Sequence, residues 1–404
     1  MKKVTVPYGS WYLDGELTLT FPEEWNVIEA WPKGAWIKPL SDDEIRDRLN
    51  SPIGAERISE IARGKHNVIL LIDDLTRPTP TYRFVSFILD ELKRGGVEDE
   101  AISFLVAMAT HRPPNRIDLI KKLGKEVVDK FRIFVHNIYE NCEYIGKTSR
   151  GTPIYINKKV LEADLKIGIG GIYPHMDAGW SGGGKIICPG ASGIETIEAN
   201  HSLRGGGRGV IEGNEYREDI DEVASKVGLD FIVNVVMNCR REVVGLFAGH
   251  MIKAHREGVK FAEKVYSTEF PENMDITVIN TYPSDTELLQ TLKGLWAAES
   301  AKENGTVVVS AYCPEGFGWH SLYDRVIDRW APPEKSIIGR RLRKRTKIIL
   351  SPNVNIGDVH RYYPKDTMLF KEWDDVLKKL KEKHGKEANV SVFPCALLQL
   401  KKKI

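Results

Sequence analysis

The chain has only five cysteines in 404 residues, Cys142, Cys188, Cys239, Cys313 and Cys395, and no two of them stand in a C-x-x-C pair. That spacing offers neither a zinc knuckle nor a disulfide framework, and it fits a reducing compartment. Long apolar runs are also missing, and nothing approaches membrane-spanning length. The first residues, Met1 to Gly9, pass straight into strand-like alternation without the apolar core of a secretion signal. A soluble, cytoplasmic protein with no membrane partner is expected. Charge of one sign is lacking too: 58 basic against 56 acidic residues leave a net charge of +2, so nucleic acid is not an expected partner. The basic runs at 340–345 and at the C-terminus read as solvated faces. Short repeats and low-complexity segments are absent.

The chain does have length and apolar content, and 404 residues exceed the usual size of one domain. From about residue 66, short β-rich runs alternate with amphipathic helices. That alternation predicts an α/β fold of two domains, with largely parallel sheets flanked by helices. Val68 to Ile72 reads as a buried strand, followed by a polar loop and a helix with Phe84, Phe87, Ile88 and Leu92 on one face. Ala101 to Ala107 and Leu165 to Gly170 repeat the pattern, each ending in a polar loop. Ligands of open α/β sheets bind outside the carboxyl ends of strands, so these loops are expected to share a crevice. A turn-like, Pro-containing stretch near 265–273 places the boundary between a domain of residues 1–268 and one of residues 269–404. The last residues are expected to pack back on the first domain, and the active site to lie in the interdomain cleft. Helices are predicted over Thr286 to Glu299 and near 320 and 375.

The segment from Pro174 to Lys185 gathers an imidazole, glycines at 179, 182, 183 and 184, and an amine, all after an apolar strand. Glycines let backbone N–H groups approach an anion closely. Gly179 to Lys185 meets seven positions of the G-x-x-x-x-G-K-[ST] phosphate loop, but Ile186 stands where a magnesium-binding hydroxyl belongs. A P-loop-like nucleotidase is therefore a lesser alternative.

Asp73, Asp74, Thr76 and Arg77 crowd one loop, where a guanidinium suits a two-point hold on a carboxylate or phosphate. The plain reading is an ion pair that fixes the loop. His111 and His175 lie in strand-to-helix loops, where imidazole titrates near physiological pH. Two such groups on opposite sides of one carbon would permit stereochemical inversion. His201 is a candidate neutral nitrogen ligand, yet the sequence has no H-E-x-x-H or comparable zinc motif, so a metal would need most of its ligands from a cofactor. Gln290 and Lys293, three apart on a predicted helix, project from one side.

Taken together, Asp73-Asp74-Leu75-Thr76-Arg77-Pro78, Thr110-His111-Arg112-Pro113, His175 through Lys185 and His201 resemble the nickel-dependent lactate racemase family. The order and spacing agree over most of the chain. The resemblance implies a racemase or epimerase of a lactate-like or larger 2-hydroxy acid, working by hydride transfer to a nickel-pincer nucleotide. It implies that Lys185 is joined covalently to this cofactor and that His201 supplies the fourth nickel ligand. By the same resemblance His111 and His175 are the acid/base pair, Arg77 binds the substrate carboxylate, and Gln290 and Lys293 are further substrate-side groups. Asp74, Thr76, Ser181, Gly182 and Gly183 are then cofactor-binding residues, with Asp74 also orienting Arg77. Cofactor-synthesis proteins are the implied loading partners. A non-catalytic carrier of the pyridinium nucleotide is the alternative from another class. Family members active on lactate often carry a bulkier basic residue where Gly184 stands, and Tyr362 and Tyr363 are candidates for the family's C-terminal aromatic pocket residue.

Overall fold

A computed structural model describes residues 1–322 and 337–402. Its contacts divide the chain into two compact units. One comprises residues 36–265 together with His320–Leu322; the other comprises residues 1–35, 266–319 and the described part of 323–404. Residues 1–35, expected in the first domain, thus belong to the second unit. The physical reason is strand pairing: Asn26–Glu29 adds in parallel to Asn389–Phe393 as an edge of that unit's sheet. The last strand, Leu400–Lys401, pairs with Ser267–Thr268 of its own unit.

The unit of residues 36–265 is built on a six-stranded sheet in the order Val243–Gly249, Phe231–Met237, Leu165–Gly171, Val68–Ile72, Ile102–Val106, Arg132–Val135. All neighbours are parallel except the Val243–Gly249 edge, which is antiparallel. Strands such as Val68–Ile72, apolar at every position and buried at every position, need cover on both faces, and helices supply it. Val85–Arg94 turns Val85, Phe87, Ile88 and Leu92 inward. Glu215–Val227 is capped by Asn214, whose side chain accepts from the Arg217 N–H, and it ends at Gly228 in a left-handed conformation. Its buried stripe is Ile220, Val223, Ala224 and Val227. Cutting Ile220 back to alanine would cost about 2–5 kcal/mol as a core cavity.

Chain order makes Val68–Ile72 the pivot of this sheet. The chain moves from it to Ile102–Val106 and Arg132–Val135 on one side, then returns to Leu165–Gly171 on the other. The carboxyl ends of Val68–Ile72 and Leu165–Gly171 therefore flank a topological switch point, where such sheets open a crevice.

The second unit carries an all-parallel sheet in the order Met368–Phe370, Thr346–Leu350, Ala301–Ser310, Met274–Asn280, Asn389–Phe393, Asn26–Glu29. The expected helix Thr286 to Glu299 is instead one α-turn, Leu288–Thr291, followed by a 3-10 stretch, Leu292–Ser300. Gly294 lies so close to the Met274–Asn280 strand that a Cβ there would sit 3.2 Å from Ile279 Cγ2, a close approach that goes with the tighter winding. The helix near 375 is Trp373–His384. The expected helix near 320 lies largely outside the described residues. Among the described residues no helix is long and apolar enough to cross a membrane.

Candidate active site

Three loops leave the carboxyl ends of adjacent parallel strands, and together they line one pocket. Its wall includes Asp73, Asp74, Arg77, His111, Tyr173, Ser181, Gly182, Gly183, Lys185 and Asn234. The pocket thereby gathers Asp73, Asp74, Arg77, His111, Ser181, Gly182, Gly183 and Lys185, all singled out from the sequence.

The first loop is built around Asp74. Its Oδ1 accepts from the Thr76 N–H at 2.7 Å and the Thr76 hydroxyl at 2.5 Å. Its Oδ2 lies 2.9 Å from His111 Nδ1. Burial raises the Asp74 pKa, but the adjacent His111 ring and the Arg77 guanidinium outweigh it and hold the carboxyl well below the ordinary carboxylate range. An ionised carboxylate only accepts, so His111 Nδ1 carries the proton and Nε2 keeps its lone pair. That lone pair faces the guanidinium, with Arg77 Nη2 at 3.4 Å. His111 is 5% exposed, whereas Arg77 is half-buried. Ala109, just upstream, is left-handed (φ 52°), and its N–H donates to the Gly190 carbonyl at 3.0 Å.

Lys122 holds this loop from beneath. Asn115 caps the helix Arg116–Leu123, which carries the Lys122 amine to the Asp73 carboxylate and to the carbonyls of Asp74 and Arg77 at 3.1 and 3.2 Å. Burial pushes Asp73 up and Lys122 down, and each is pulled back by the other.

The third loop opens with a two-residue hairpin in which Pro174–His175 pairs with Gly179–Trp180. His175 is half-buried, and its Nδ1 accepts from the Asp177 and Ala178 N–H groups, each at 3.2 Å. The glycines follow. Gly182 is left-handed (φ 79°), and a Cβ there would sit 2.7 Å from Asn234 Oδ1, which itself accepts the Gly183 N–H at 2.7 Å. Glycine meets both requirements. Lys185 stands in a single 3-10 turn, Gly183–Ile186, and not at the start of an α-helix running on from a strand. The contiguous strand, loop and helix of a phosphate loop are thus missing.

Lys185 has no hydrogen-bond or ion-pair partner among the described residues, and its Nζ lies 5.6 Å from the centre of the Tyr216 ring. Burial, then the positive charges of Arg217 and Arg77, lower its pKa to about 7. Tyr216 also faces His201: its hydroxyl is 2.9 Å from His201 Nε2, with the rings edge to face at 5.2 Å. His201 Nδ1 lies 2.8 Å from the Ile197 carbonyl, an acceptor, so Nδ1 is the protonated nitrogen and Nε2 bears the lone pair. Among the described residues no three His, Cys, Asp or Glu side chains form a cluster able to hold a metal.

Gln290 and Lys293 belong to the other unit. There the Lys293 amine bonds the Gln290 carbonyl oxygen, and the Gln290 amide donates to Glu287 at 2.9 Å. Tyr362 stacks on Phe317 and Tyr363 bonds the Thr291 hydroxyl, both within that unit's core. The sequence reading gave no role to the residues that hold the loops. Arg217 donates to the carbonyls of Ala178, Trp180 and Gly182; His255 Nε2 meets the Ser181 carbonyl at 2.8 Å; Asn234 and Lys122 act as described. Asn234 had a signal, a lone amide inside an apolar strand that is buried throughout. Lys122 had none, since it sits beside Lys121 in an ordinary amphipathic helix.

Fold and pocket together describe an α/β protein whose pocket, at the carboxyl ends of parallel strands, holds an oriented imidazole, a guanidinium and an amine of depressed basicity. Comparison with known proteins narrows this class. Residues 12–207 match the lactate racemase N-terminal domain, and residues 268–347 match the lactate racemase C-terminal domain. The chain is 32% identical to a lactate racemase of Thermoanaerobacterium thermosaccharolyticum, across 83% of this chain and 79% of that protein. It is 31% identical to a lactate racemase of Lactiplantibacillus plantarum, across 89% and 90%. The fold is similar to that of the lactate racemase apoprotein from Thermoanaerobacterium thermosaccharolyticum, with a TM-score of 0.79, 26% identity and full coverage of both chains. A Thermotoga maritima protein shares the fold at a TM-score of 0.68 and 17% identity, over 90% of this chain and 99% of that one. The chain belongs to the lactate racemase family. It is an isomerase, of the racemase kind.

Proposed function

We propose that this protein racemises or epimerises a 2-hydroxy acid, lactate or a larger homologue, with His111 as one acid/base group. The observation that carries the reading is the His111 ring itself. Asp74 fixes its proton on Nδ1, and Nε2 stands beside Arg77 in the pocket that also holds Lys185. A carboxylate on Arg77 would bring its α-hydroxyl towards Nε2, which can accept the hydroxyl proton. The Arg77 charge would also stabilise negative charge developing on that oxygen. His175 is proposed as the opposite acid/base group, and Gln290 and Lys293 as substrate-side groups.

The residues present fit the nickel-pincer nucleotide expected from the family resemblance. Lys185 offers an amine that is half neutral near pH 7 and has no carboxylate to occupy it, which suits covalent attachment. His201 offers an imidazole whose Nε2 lone pair, now met by the Tyr216 hydroxyl, is the ligand position. With no cluster of three protein ligands among the described residues, a group that brings its own donors suits this donor set. When bound, this group supplies a site that takes and returns a hydride. Asp74, Thr76, Ser181, Gly182 and Gly183 are proposed to line it. The test is co-expression with cofactor-synthesis proteins, followed by intact mass, nickel content and a panel of chiral 2-hydroxy acids. Stereoinversion or α-hydrogen exchange is expected. A loaded protein inert towards every acid would sink the racemase reading and leave a carrier.

A further inference from the structure

A third imidazole stands against the His111 loop. His320, Ser321 and Leu322 belong to the same compact unit as His111, although residue 319 before them belongs to the other. The Ser321 N–H donates to the Thr110 carbonyl at 2.8 Å, and His111 and His320 form an isolated antiparallel bridge. Their rings meet edge to face, 5.4 Å between centres at 62°. The Thr110 hydroxyl lies 3.2 Å from His320 Nε2, and His320 is half-buried.

Hydrogen bonds alone do not fix an imidazole. Rotation by half a turn about the Cβ–Cγ bond exchanges Nδ1 with a carbon, and the bonds to Asp74 and Arg77 must then be lost or remade. A ring packed edge to face on the imidazole obstructs that rotation, because the turning ring sweeps through its neighbour. His320 provides such a neighbour, and the backbone bridge keeps it in place.

We propose that His320 is a positioning residue for His111: its ring holds the His111 imidazole with Nδ1 on Asp74 and Nε2 towards the pocket. The idea that the held ring then acts as acid/base rests on the function proposed above; the positioning itself does not. Two variants separate the contributions. His320→Phe keeps an edge-to-face ring without nitrogen atoms, and His320→Ala removes the ring.

In the full-length protein without added cofactor, labelled with 15N-histidine and studied at pH 8, long-range 1H–15N correlation reads the tautomer of each imidazole. Wild type and His320→Phe should show His111 as the single Nδ1–H form. His320→Ala should show a mixture or exchange broadening. In the loaded enzyme His320→Ala should lower kcat roughly three- to tenfold, the weight of one aromatic pair, with KM unchanged and His320→Phe restoring it. Thermal midpoints of both variants serve as the folding control; if the alanine variant does not fold, His320→Gln takes its place as the ring-deleted protein. An unchanged His111 tautomer in the ring-deleted variant, or a phenylalanine variant no better than it, overturns the proposal. If loaded wild type is inert on every acid, the proposed function fails while the tautomer measurement still decides this inference.

Discussion

The two sides of the pocket balance charge in opposite ways. In the loops that follow Val68–Ile72 and Ile102–Val106, every buried carboxylate of the site has a cation at hand: Asp74 has Arg77, besides the His111 N–H, and Asp73 has Lys122. In the Pro174–Lys185 loop the cations chiefly meet carbonyls. Arg217 donates to three of them, with Asp221 at 3.6 Å, and Lys185 has only the face of an aromatic ring. One side pairs its charges within the protein and the other leaves its lysine without a bonded carboxylate among the described residues. The first arrangement suits orienting a base, and the second suits holding an anion that the protein does not itself provide.

The sharpest way to break this contrast is Asp74→Asn. Thr76 donates two hydrogen bonds to Oδ1, so the asparagine carbonyl oxygen would stay there and its NH2 would replace Oδ2. That NH2 donates to His111 Nδ1, and the ring proton is forced onto Nε2, where the base needs a lone pair. kcat should fall on the order of 10²- to 10⁴-fold. The mass adduct at Lys185 should be unaffected. A variant within tenfold of wild type would show that the Asp74–His111 bond does not set the reactive tautomer.

On the other side, the amine of Lys185 should react as one with a pKa of about 7. A group whose pKa is lowered is neutral above that value, so acylation should rise as pH climbs through 7 and level off near 8. At pH 7 about half of the amine is neutral, against roughly one part in three thousand for an ordinary lysine. Rate against pH, with the modified residue identified by peptide mass, checks this. A midpoint near 10 would mean that neither burial nor the neighbouring guanidinium charges depress the amine.

Lys122→Met tests the neutralised side through stability. Among the described residues it leaves the buried Asp73 carboxylate with the Thr79 hydroxyl at 2.7 Å, and breaking such a pair costs about 3–5 kcal/mol. Urea unfolding should show the loss, and adding Asp73→Asn should recover much of it. Equal stability of Lys122→Met and wild type would mean that the pair is not the loop's anchor.

Much of the first side was legible in the sequence, because Asp73, Asp74, Thr76, Arg77 and His111 are close in number or sit at like places in repeated strand–loop–helix units. Its anchor was not: Lys122 is distant along the chain and looks like any helix-surface lysine. The glycine loop announced itself by composition, yet what fixes it, Arg217 and His255, lies on two later helices. Periodicity found the buried stripe of Glu215–Val227 but could not say that the polar first turn points inward too. Nor could it show that residues 1–35 complete the distant sheet, since strand pairing at an edge leaves no local trace.

Gly184 is the next test of the anion-holding side. A Cβ at 184 would lie 2.8 Å from Ala224 Cβ and 3.2 Å from the Ile220 carbonyl, so the loop is pressed onto the Glu215–Val227 helix. Gly184→Ala should cost about 1–3 kcal/mol as overpacking. Gly184→Arg, which adds a bulkier basic side chain, should cost at least as much unless the helix moves. Urea midpoints decide it, and a neutral Gly184→Ala would show that the loop can lift from the helix.

The smallest effect on stability, beside a large one on metal content, is expected at His201. The residue is exposed, its Nδ1–H bonds a carbonyl of its own helix, and its Nε2 meets the hydroxyl of the otherwise buried Tyr216, to which water gains access once the exposed ring is removed. His201→Ala should therefore cost about 1 kcal/mol or less. Lys185 is untouched, so the adduct should still appear by intact mass, while nickel per protein falls to background after gel filtration. The two readouts must separate: a variant that keeps its nickel would remove His201 from the ligand set, and one that loses the adduct as well would make His201 part of the anchoring side.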